Sequence, residues 1–310
     1  MQLDNTMTKN TVTFTVPFVT VGIPTYEAGE SLVVALDSIY AQSSFSSIKE
    51  VLVVTDGKKL TSSMKQQLER KKLKIVEKST RKGQSRRIND IFELASTQLL
   101  VLTNDDVIWD KHALRELVSQ YKQYQPDLLS AKAVPLEGPH VLEKLLAVGY
   151  ALNHTVLSYL KKDSYLSCNG RLIVLSKKLY KQAHIPEKLW NNDAYLFLFA
   201  KLNNFSYRSV SEAVVYFRSP STLRDHLRQS VKFQVSQVEN QSFFSKDVTD
   251  FYTVSKSVML KSLAKVMVQR PVATIGYIGL LLYSRLMSRP ALHTTGTWET
   301  DYSTKLVKQD

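Results

Sequence analysis

Cysteine is nearly absent from this chain of 310 residues, which contains only Cys168. A single cysteine excludes a disulfide within the chain and fits a protein of a reducing compartment. No nucleophile motif surrounds Cys168, so we interpret it as a buried thiol rather than a catalytic one. The six histidines are scattered without the spacing of metal ligands, and they predict no zinc site.

Long apolar runs are missing as well. The uncharged stretch at residues 272–283 has twelve residues, whereas a transmembrane helix needs about 20. The first ten residues are polar, so we expect no signal peptide and a cytoplasmic catalytic part. A hydrophobic content of 44% without repeats or low-complexity linkers is typical of a folded globular chain.

Acidic residues are absent from one long segment and rare in another. None occurs at residues 252–297, and residues 58–87 contain twelve Lys or Arg against Glu69 and Glu77. Together with the net charge of +13, this placement favours polyanionic partners such as nucleotide phosphates, anionic lipid headgroups or nucleic acid. No nucleic-acid-binding module is recognisable, so we expect no nucleic-acid partner.

The first half of the chain alternates between strand and helix patterns. Apolar runs predict strands at residues 18–23, 51–55, 73–76 and 99–104. Amphipathic segments between them predict helices, and this order indicates a Rossmann-like, mostly parallel sheet flanked by helices. The first strand lacks a Gly-x-Gly-x-x-Gly turn, which argues against a dinucleotide-dependent dehydrogenase.

The second half is less regular, and we expect it to complete the same domain. Its patterns predict strands near residues 128–134, 172–175 and 207–217, with helices near 141–161, 177–183 and 194–202. The expected organisation is an N-terminal extension at 1–15, an α/β domain at 16–240 and a helical tail at 241–310.

Two adjacent carboxylates, Asp105 and Asp106, follow the apolar run at residues 99–104. A buried parallel strand there would place them at the sheet edge where ligands of α/β proteins bind. Two neighbouring carboxylates repel each other unless a cation lies between them, and Mg²⁺ or Mn²⁺ with phosphate oxygens is the usual one. An Asx turn that opens the next helix explains these two residues equally well.

Taken in order, these segments resemble a family 2 glycosyltransferase of the GT-A fold over about residues 19–233. The motifs that carry the resemblance are residues 20–26, Asp56, Lys82-Gly83 with Asn89, Asn104-Asp105-Asp106, Asn169-Gly170, Asn192-Asp193, and Gln229 with Lys232 and Phe233. No one of them is specific, but their joint occurrence in this order is.

The resemblance implies an inverting transfer from a UDP- or GDP-sugar. It places Pro24, Thr25, Tyr26, Glu27, Asp56, Lys82, Gly83, Asn104 and Asp105 at the donor, and Asn169, Gly170, Asn192, Gln229, Lys232 and Phe233 on the sugar or acceptor side. Asp106, assisted by Asn104, is the implied ligand of Mg²⁺ or Mn²⁺. Asn104 and Glu27 depart from the family pattern, which leaves the metal ligand set and the nucleobase open.

Asp193 is the implied general base. An acceptor hydroxyl has a pKa far above neutral and needs a base within hydrogen-bonding reach. A single carboxylate acting as base, with no second as nucleophile, implies one displacement with inversion at the anomeric carbon. The structural alternative is that Asn192 or Asp193 caps the helix expected from about residue 194.

The tail combines lysines with apolar residues. Residues 254–268 have the pattern of an amphipathic helix with a basic face, and Pro271 separates them from the uncharged stretch. Packing on the first domain would explain this, but we favour a peripheral or re-entrant anchor on the cytoplasmic face of the cell membrane. The expected acceptor is therefore lipid-linked or a glycan.

Two other functions remain open at this point. A Mg²⁺-dependent nucleotidyltransferase also uses a Rossmann-like sheet with carboxylates, although residues 24–27 are not the Gly-rich loop expected of one. A basic membrane-binding or nucleic-acid-binding protein without catalysis would have purely structural carboxylates.

Overall fold

The computed structural model describes residues 17–27, 29–160, 163–187, 189–244, 247–287 and 302–305. The N-terminal extension expected at residues 1–15 lies outside these residues. The same holds for residues 245–246, 288–301 and 306–310 of the expected tail.

Within the described residues, eight strands form one mixed sheet in the order β3-β2-β1-β4-β7-β6-β8-β5. The strands are β1 Val19–Thr25, β2 Ile48–Thr55, β3 Leu73–Val76, β4 Leu99–Thr103, β5 Val107–Trp109, β6 Leu128–Pro135, β7 Leu172–Ser176 and β8 Tyr207–Phe217. The first four strands are mutually parallel, as the sequence predicts. β6 and β8 are parallel as well, whereas β7 is antiparallel to β4 and β6, and β5 is antiparallel to β8.

Eleven helices occur in the same ranges of the chain. They are α1 Glu30–Tyr40, α2 Ser62–Gln67, α3 Gln84–Leu94, α4 Ala113–Tyr124, α5 Val141–Tyr159, α6 Lys177–Tyr180, α7 Asn192–Leu202, α8 Leu223–Phe243, α9 Thr249–Tyr252, α10 Lys256–Gln269 and α11 Pro271–Met287. α8 runs across the boundary between residues 240 and 241, where the sequence analysis ended the α/β domain and began the tail.

The core lies on both faces of the sheet. Successive side chains of a strand point to opposite faces, and β4 shows this directly. Val101 packs in a cluster with Leu32 and Leu36 of α1, whereas Leu100 packs in a second cluster with Ile91 of α3. Covering both faces explains why the first, second and fourth strands read as nearly continuous apolar runs.

β1 continues through Pro24 to Thr25, two residues past the end expected from the sequence. Pairing of β1 with β4 ends at Gly22, while pairing with β2 continues to Thr25. Proline is tolerated here because it lies where the ladder on the β4 side has already ended. This extension carries Thr25 to the edge where β4 ends.

Gly22 is the point of closest approach between β1 and α3. An added Cβ would come within 2.4 Å of Ile91 Cγ2 and 3.3 Å of Leu102 Cδ2. We expect Gly22→Ala to lower the free energy of unfolding by about 1–3 kcal/mol, as overpacking of a core does. Gly279→Ala on α11 is the matched control, since no heavy atom lies within 4 Å of its added Cβ. Urea denaturation of both variants tests this, and equal midpoints would contradict it.

The C-terminal helices α10 and α11 both pack on α5. Their buried residues are small or polar: Ser262, Thr274 and Ser284, with Val266 as the apolar exception. The helices approach closely at two glycines, because a Cβ on Gly149 or on Gly276 would meet a side chain at 2.7 Å. None of the helices in the described ranges combines the length and apolar character that a bilayer crossing needs.

Candidate active site

The carboxyl ends of β1 and β4 meet at one edge of the sheet. The Thr25 hydroxyl donates a 2.5 Å hydrogen bond to Oδ2 of Asp105, and both residues are buried. The parallel register therefore brings Thr25, a predicted donor residue, into contact with Asn104-Asp105-Asp106, 80 positions later in the chain. We call these three residues the acidic motif. Asp106, the next residue, is partly exposed at the same edge.

A chain of hydrogen bonds connects the acidic motif to Asn192, the neighbour of the expected general base Asp193. Gln84, the first residue of α3, donates from Nε2 to Oδ1 of Asn104 at 3.1 Å. Its Oε1 accepts a hydrogen bond from Nδ2 of Asn192 at 3.4 Å. The Ser85 hydroxyl donates to Oδ1 of Asn192 at 2.8 Å. Sequence reasoning missed Gln84, although its place directly after Lys82-Gly83 was the available signal.

Asp193 is not the cap of its helix. α7 begins at Asn192, and the side chain of Asn191 accepts the capping hydrogen bond from the Ala194 amide. The Asp193 carboxylate instead accepts hydrogen bonds from the amides of Gly170 at 2.9 Å and Ala194 at 3.2 Å. A Cβ on Gly170 would come within 3.0–3.1 Å of this side chain. The sequence motifs Asn169-Gly170 and Asn192-Asp193 are thus in direct contact.

Arg171 lies on the other side of this turn and was not foreseen from the sequence. Its backbone amide and Nη1 donate to Oδ1 of Asn169 at 3.0 and 3.3 Å. Its guanidinium carbon lies 3.4 Å from the ring centroid of Phe217, and Nη2 donates to the Tyr150 hydroxyl at 3.2 Å. The turn is therefore joined to β8 and to α5.

Opposing charges act on Asp106. Burial raises the pKa of its carboxyl and so does neighbouring Asp105, while Lys305 and Arg171 act in the opposite direction. Lys305 belongs to the C-terminal turn, residues 302–305. Its ammonium pairs directly with Oδ1 of Asp105 and lies 3.7 Å from Oδ2 of Asp106.

Asp56 holds the loop that precedes α3. Its two oxygens accept hydrogen bonds from the amides of Lys82 at 2.8 Å and Gly83 at 2.9 Å. Nε of buried Arg87 donates to Asp56 at 2.8 Å, and Nη1 of the same guanidinium donates to Asp90 at 2.5 Å. The carboxylate is thus heavily used within the protein, and its reading of a nucleobase stays a prediction.

Tyr26 and Glu27 follow β1 and lie among basic side chains. The guanidinium carbon of Arg81 is 3.9 Å from the Tyr26 ring centroid, and the Lys58 ammonium is 4.9 Å from it. Lys58 also pairs with Glu27. An aromatic ring beside cationic side chains suits a nucleotide, whose base can stack and whose phosphates are anionic.

Gln229, Lys232 and Phe233 lie on α8 rather than on the sheet. Phe233 is 64% exposed, while Ser236 is buried and accepts a 2.8 Å hydrogen bond from Nδ2 of Asn191. Gln229, Lys232, Phe233 and Ser236 follow one another at the spacing of three and four that places residues along one side of a helix. The hydrogen bond between Ser236 and Asn191 brings this side of α8 to the residue that precedes α7.

The acidic motif suits a divalent cation that is also bound by phosphate. No group of three or more His, Cys, Asp or Glu side chains in the described residues forms a metal cage. Mg²⁺ is usually held by one or two carboxylates together with substrate phosphates and water. Asp105, Asp106 and the amide oxygen of Asn104 provide such a partial set of hard oxygen donors. The buried Cys168 contributes nothing to it, and burial raises the pKa of its thiol.

The model of the family described as "Glycosyltransferase like family 2" matches residues 17–234. The chain belongs to glycosyltransferase family 2. The matched residues include β1 to β8 and every candidate site residue named above except Ser236 and Lys305. No curated protein sequence matches this glycosyltransferase significantly.

Solved structures share the fold of this glycosyltransferase. The mannosyltransferase PcManGT from Pyrobaculum calidifontis, in complex with GDP-Man and Mn²⁺, superposes with a TM-score of 0.57 and 16% identity, covering 87% of this chain and 76% of that one. Residues 1–349 of S. aureus TarS with UDP give a TM-score of 0.52 and 17% identity, covering 87% of this chain and 88% of that one. A further TarS complex contains UDP-GlcNAc. At these identities the similarity shows the GT-A fold, as predicted.

Proposed function

We propose that this family 2 glycosyltransferase moves a sugar from a nucleoside diphosphate sugar to a lipid-linked or glycan acceptor, with inversion and with a divalent cation. One observation carries the proposal. Gln84 bonds to Asn104 of the acidic motif and to Asn192 beside Asp193, so the expected donor and acceptor halves of the reaction share one site.

The donor side is built from the ends of β1 and β4. Mg²⁺ or Mn²⁺, when bound by Asp106 with Asn104 and Asp105 nearby, supplies a Lewis acid for the departing diphosphate. Tyr26 and Glu27 line the nucleoside, and the exposed side chain of Lys82 is the proposed phosphate contact of the loop before α3. GDP-Man in PcManGT and UDP in TarS support both bases as candidates.

The acceptor side centres on Asp193. The amides of Gly170 and Ala194 hold its carboxylate in one orientation. Asp193 takes the proton of the acceptor hydroxyl while that oxygen bonds to the anomeric carbon and the nucleoside diphosphate leaves. We assign Asn169, in the turn before β7, and Gln229 and Lys232, on α8, to the acceptor side.

Titration calorimetry with UDP-sugars and GDP-sugars, with and without Mn²⁺, tests the donor. We expect one base to be preferred and Mn²⁺ to strengthen binding. Turnover should release a nucleoside diphosphate, whereas a nucleotidyltransferase would release or consume pyrophosphate. Absence of binding to every nucleoside diphosphate sugar in the presence of Mn²⁺ would contradict the proposal.

The exposed face of α10 and α11 supports attachment to the cytoplasmic face of a membrane. Seven large apolar residues there are more than half exposed: Leu260, Val268, Val272, Ile275, Leu282, Leu286 and Met287. Lys256, Lys261 and Lys265 are exposed on α10, and residues 252–287 contain no acid. An apolar face with flanking lysines suits an anionic bilayer surface without crossing it.

Flotation with anionic liposomes measures this attachment. We expect the full-length protein to float at low salt and less at high salt. Changing Lys256, Lys261 and Lys265 together to glutamine should weaken partition on the order of a hundredfold, because each lysine contributes about 1 kcal/mol. The matched control changes three exposed lysines elsewhere, Lys49, Lys71 and Lys111. A full-length protein that stays soluble at low salt would overturn membrane attachment.

A further inference from the structure

Lys305 reaches the acidic motif from 200 positions away in the sequence. Its ammonium touches Asp105 and lies 3.7 Å from Asp106, the carboxylates that we assign to the divalent cation. The ammonium therefore lies between the two carboxylates that would hold the cation.

The C-terminal turn that carries Lys305 is anchored close to it. The Ser303 hydroxyl donates a 2.5 Å hydrogen bond to Oδ2 of Asp225, and the Ser221 amide donates to the Ser303 hydroxyl at 3.4 Å. Asp225 lies in the first turn of α8, with its amide capped by Thr222. Ser303 and Thr304 are buried. Lys305 is thus positioned by the hydrogen bonds of Ser303, two residues before it.

Lys305 and a divalent cation use the same oxygens. An ammonium balances one of the two carboxylate charges, while a divalent cation balances both and keeps positions open for phosphate oxygens. Two cations at the same pair of carboxylates repel each other. One must move when the other arrives.

We propose that Lys305 occupies the cation site of the resting enzyme and is displaced when the divalent cation binds. This inference rests on the proposed function, in which Asp105 and Asp106 face that cation. In the absence of the donor and the metal, Lys305 of the C-terminal turn neutralises part of the charge of Asp105 and Asp106. When the metal binds, Lys305 moves away from the two carboxylates. Displacement of Lys305 moves the C-terminal turn, residues 302–305, away from the sheet edge.

Mn²⁺ binding to the full-length protein without nucleotide tests the proposal. Electron paramagnetic resonance counts free Mn²⁺ directly. We expect Lys305→Met to raise Mn²⁺ affinity by about five- to a hundredfold, the range of ordinary coupling between two ligands. Lys201→Met is the matched control, because Lys201 pairs with Asp163 at the surface, 3.3 Å apart. Unchanged or weaker Mn²⁺ binding by Lys305→Met, or binding to neither protein, overturns the proposal.

Hydrogen exchange of the unmodified protein gives a second readout that needs no variant. We expect Mn²⁺ alone to speed exchange at residues 302–305, and an unchanged rate overturns displacement. Failure of the proposed function is distinguished by a separate measurement, since wild-type protein that binds Mn²⁺ but no nucleoside diphosphate sugar fails only that function. If Lys305→Met instead weakens nucleotide binding and leaves Mn²⁺ binding unchanged, Lys305 contacts the donor and does not compete with the metal.

Discussion

Replacing Asp106 with alanine is expected to slow sugar transfer at least a hundredfold while the protein stays folded. The residue lies beyond the end of β4, outside the strand pairing, so its removal costs little packing. Loss of one metal ligand in the transition state costs several kcal/mol, on the order of a hundredfold or more in rate. The measurement is kcat at saturating Mn²⁺, together with the strengthening of donor binding by Mn²⁺, which should disappear.

Asp37→Ala is a suitable control for this variant. Asp37 is an exposed carboxylate of α1 that pairs with Arg70, and exposed pairs contribute little to stability. The control should keep both turnover and the response to Mn²⁺. Near-normal turnover of Asp106→Ala at saturating Mn²⁺ would remove Asp106 from the metal site.

Asp193→Asn should lower kcat by roughly 10²–10⁴-fold, the range seen when a general base is lost. Asparagine keeps the size of the side chain and an oxygen that accepts from the Gly170 amide, so donor affinity should survive. Steady-state kinetics with independent donor titration separate the two quantities. A donor affinity that falls in step with kcat would place Asp193 in the donor pocket instead.

Asn191→Ala distinguishes the base from the helix cap. Asn191 caps α7, and its loss should lower the free energy of unfolding by about 1 kcal/mol. Its effect on kcat should be far smaller than that of Asp193→Asn. Thermal unfolding of both variants alongside kinetics shows whether stability and turnover separate in this way.

The sequence predicted the elements that have strong local patterns. The third strand was placed at residues 73–76, where β3 lies, and β4 ends within one residue of its expected end. β5 was missed because three apolar residues are too few for a periodic signal. α8 was missed because it is polar on most of its surface, so no apolar stripe marks its 21 residues.

Candidate site residues could be named from the sequence where motifs are contiguous, but not where contacts join distant parts of the chain. Asn104, Asp105, Asp106 and Asp193 were named from their places in ordered motifs. Gln84 and Lys305 were not, because their contacts are with partners far away in the chain: Gln84 bonds residue 192 and Lys305 pairs with residue 105. Only the assembled sheet brings such residues together. Arg171 was missed too, since no motif includes it.

The network around Asp56 has a consequence for the entropy of donor binding. A flexible loop that must become ordered around a ligand weakens binding by the conformational freedom it loses. Here Asp56 already accepts hydrogen bonds from the amides of Lys82 and Gly83, and Arg87 donates to the same carboxylate. The loop is therefore already ordered before the donor binds. Its contacts with the donor phosphate lose less free energy to ordering and contribute more fully to affinity.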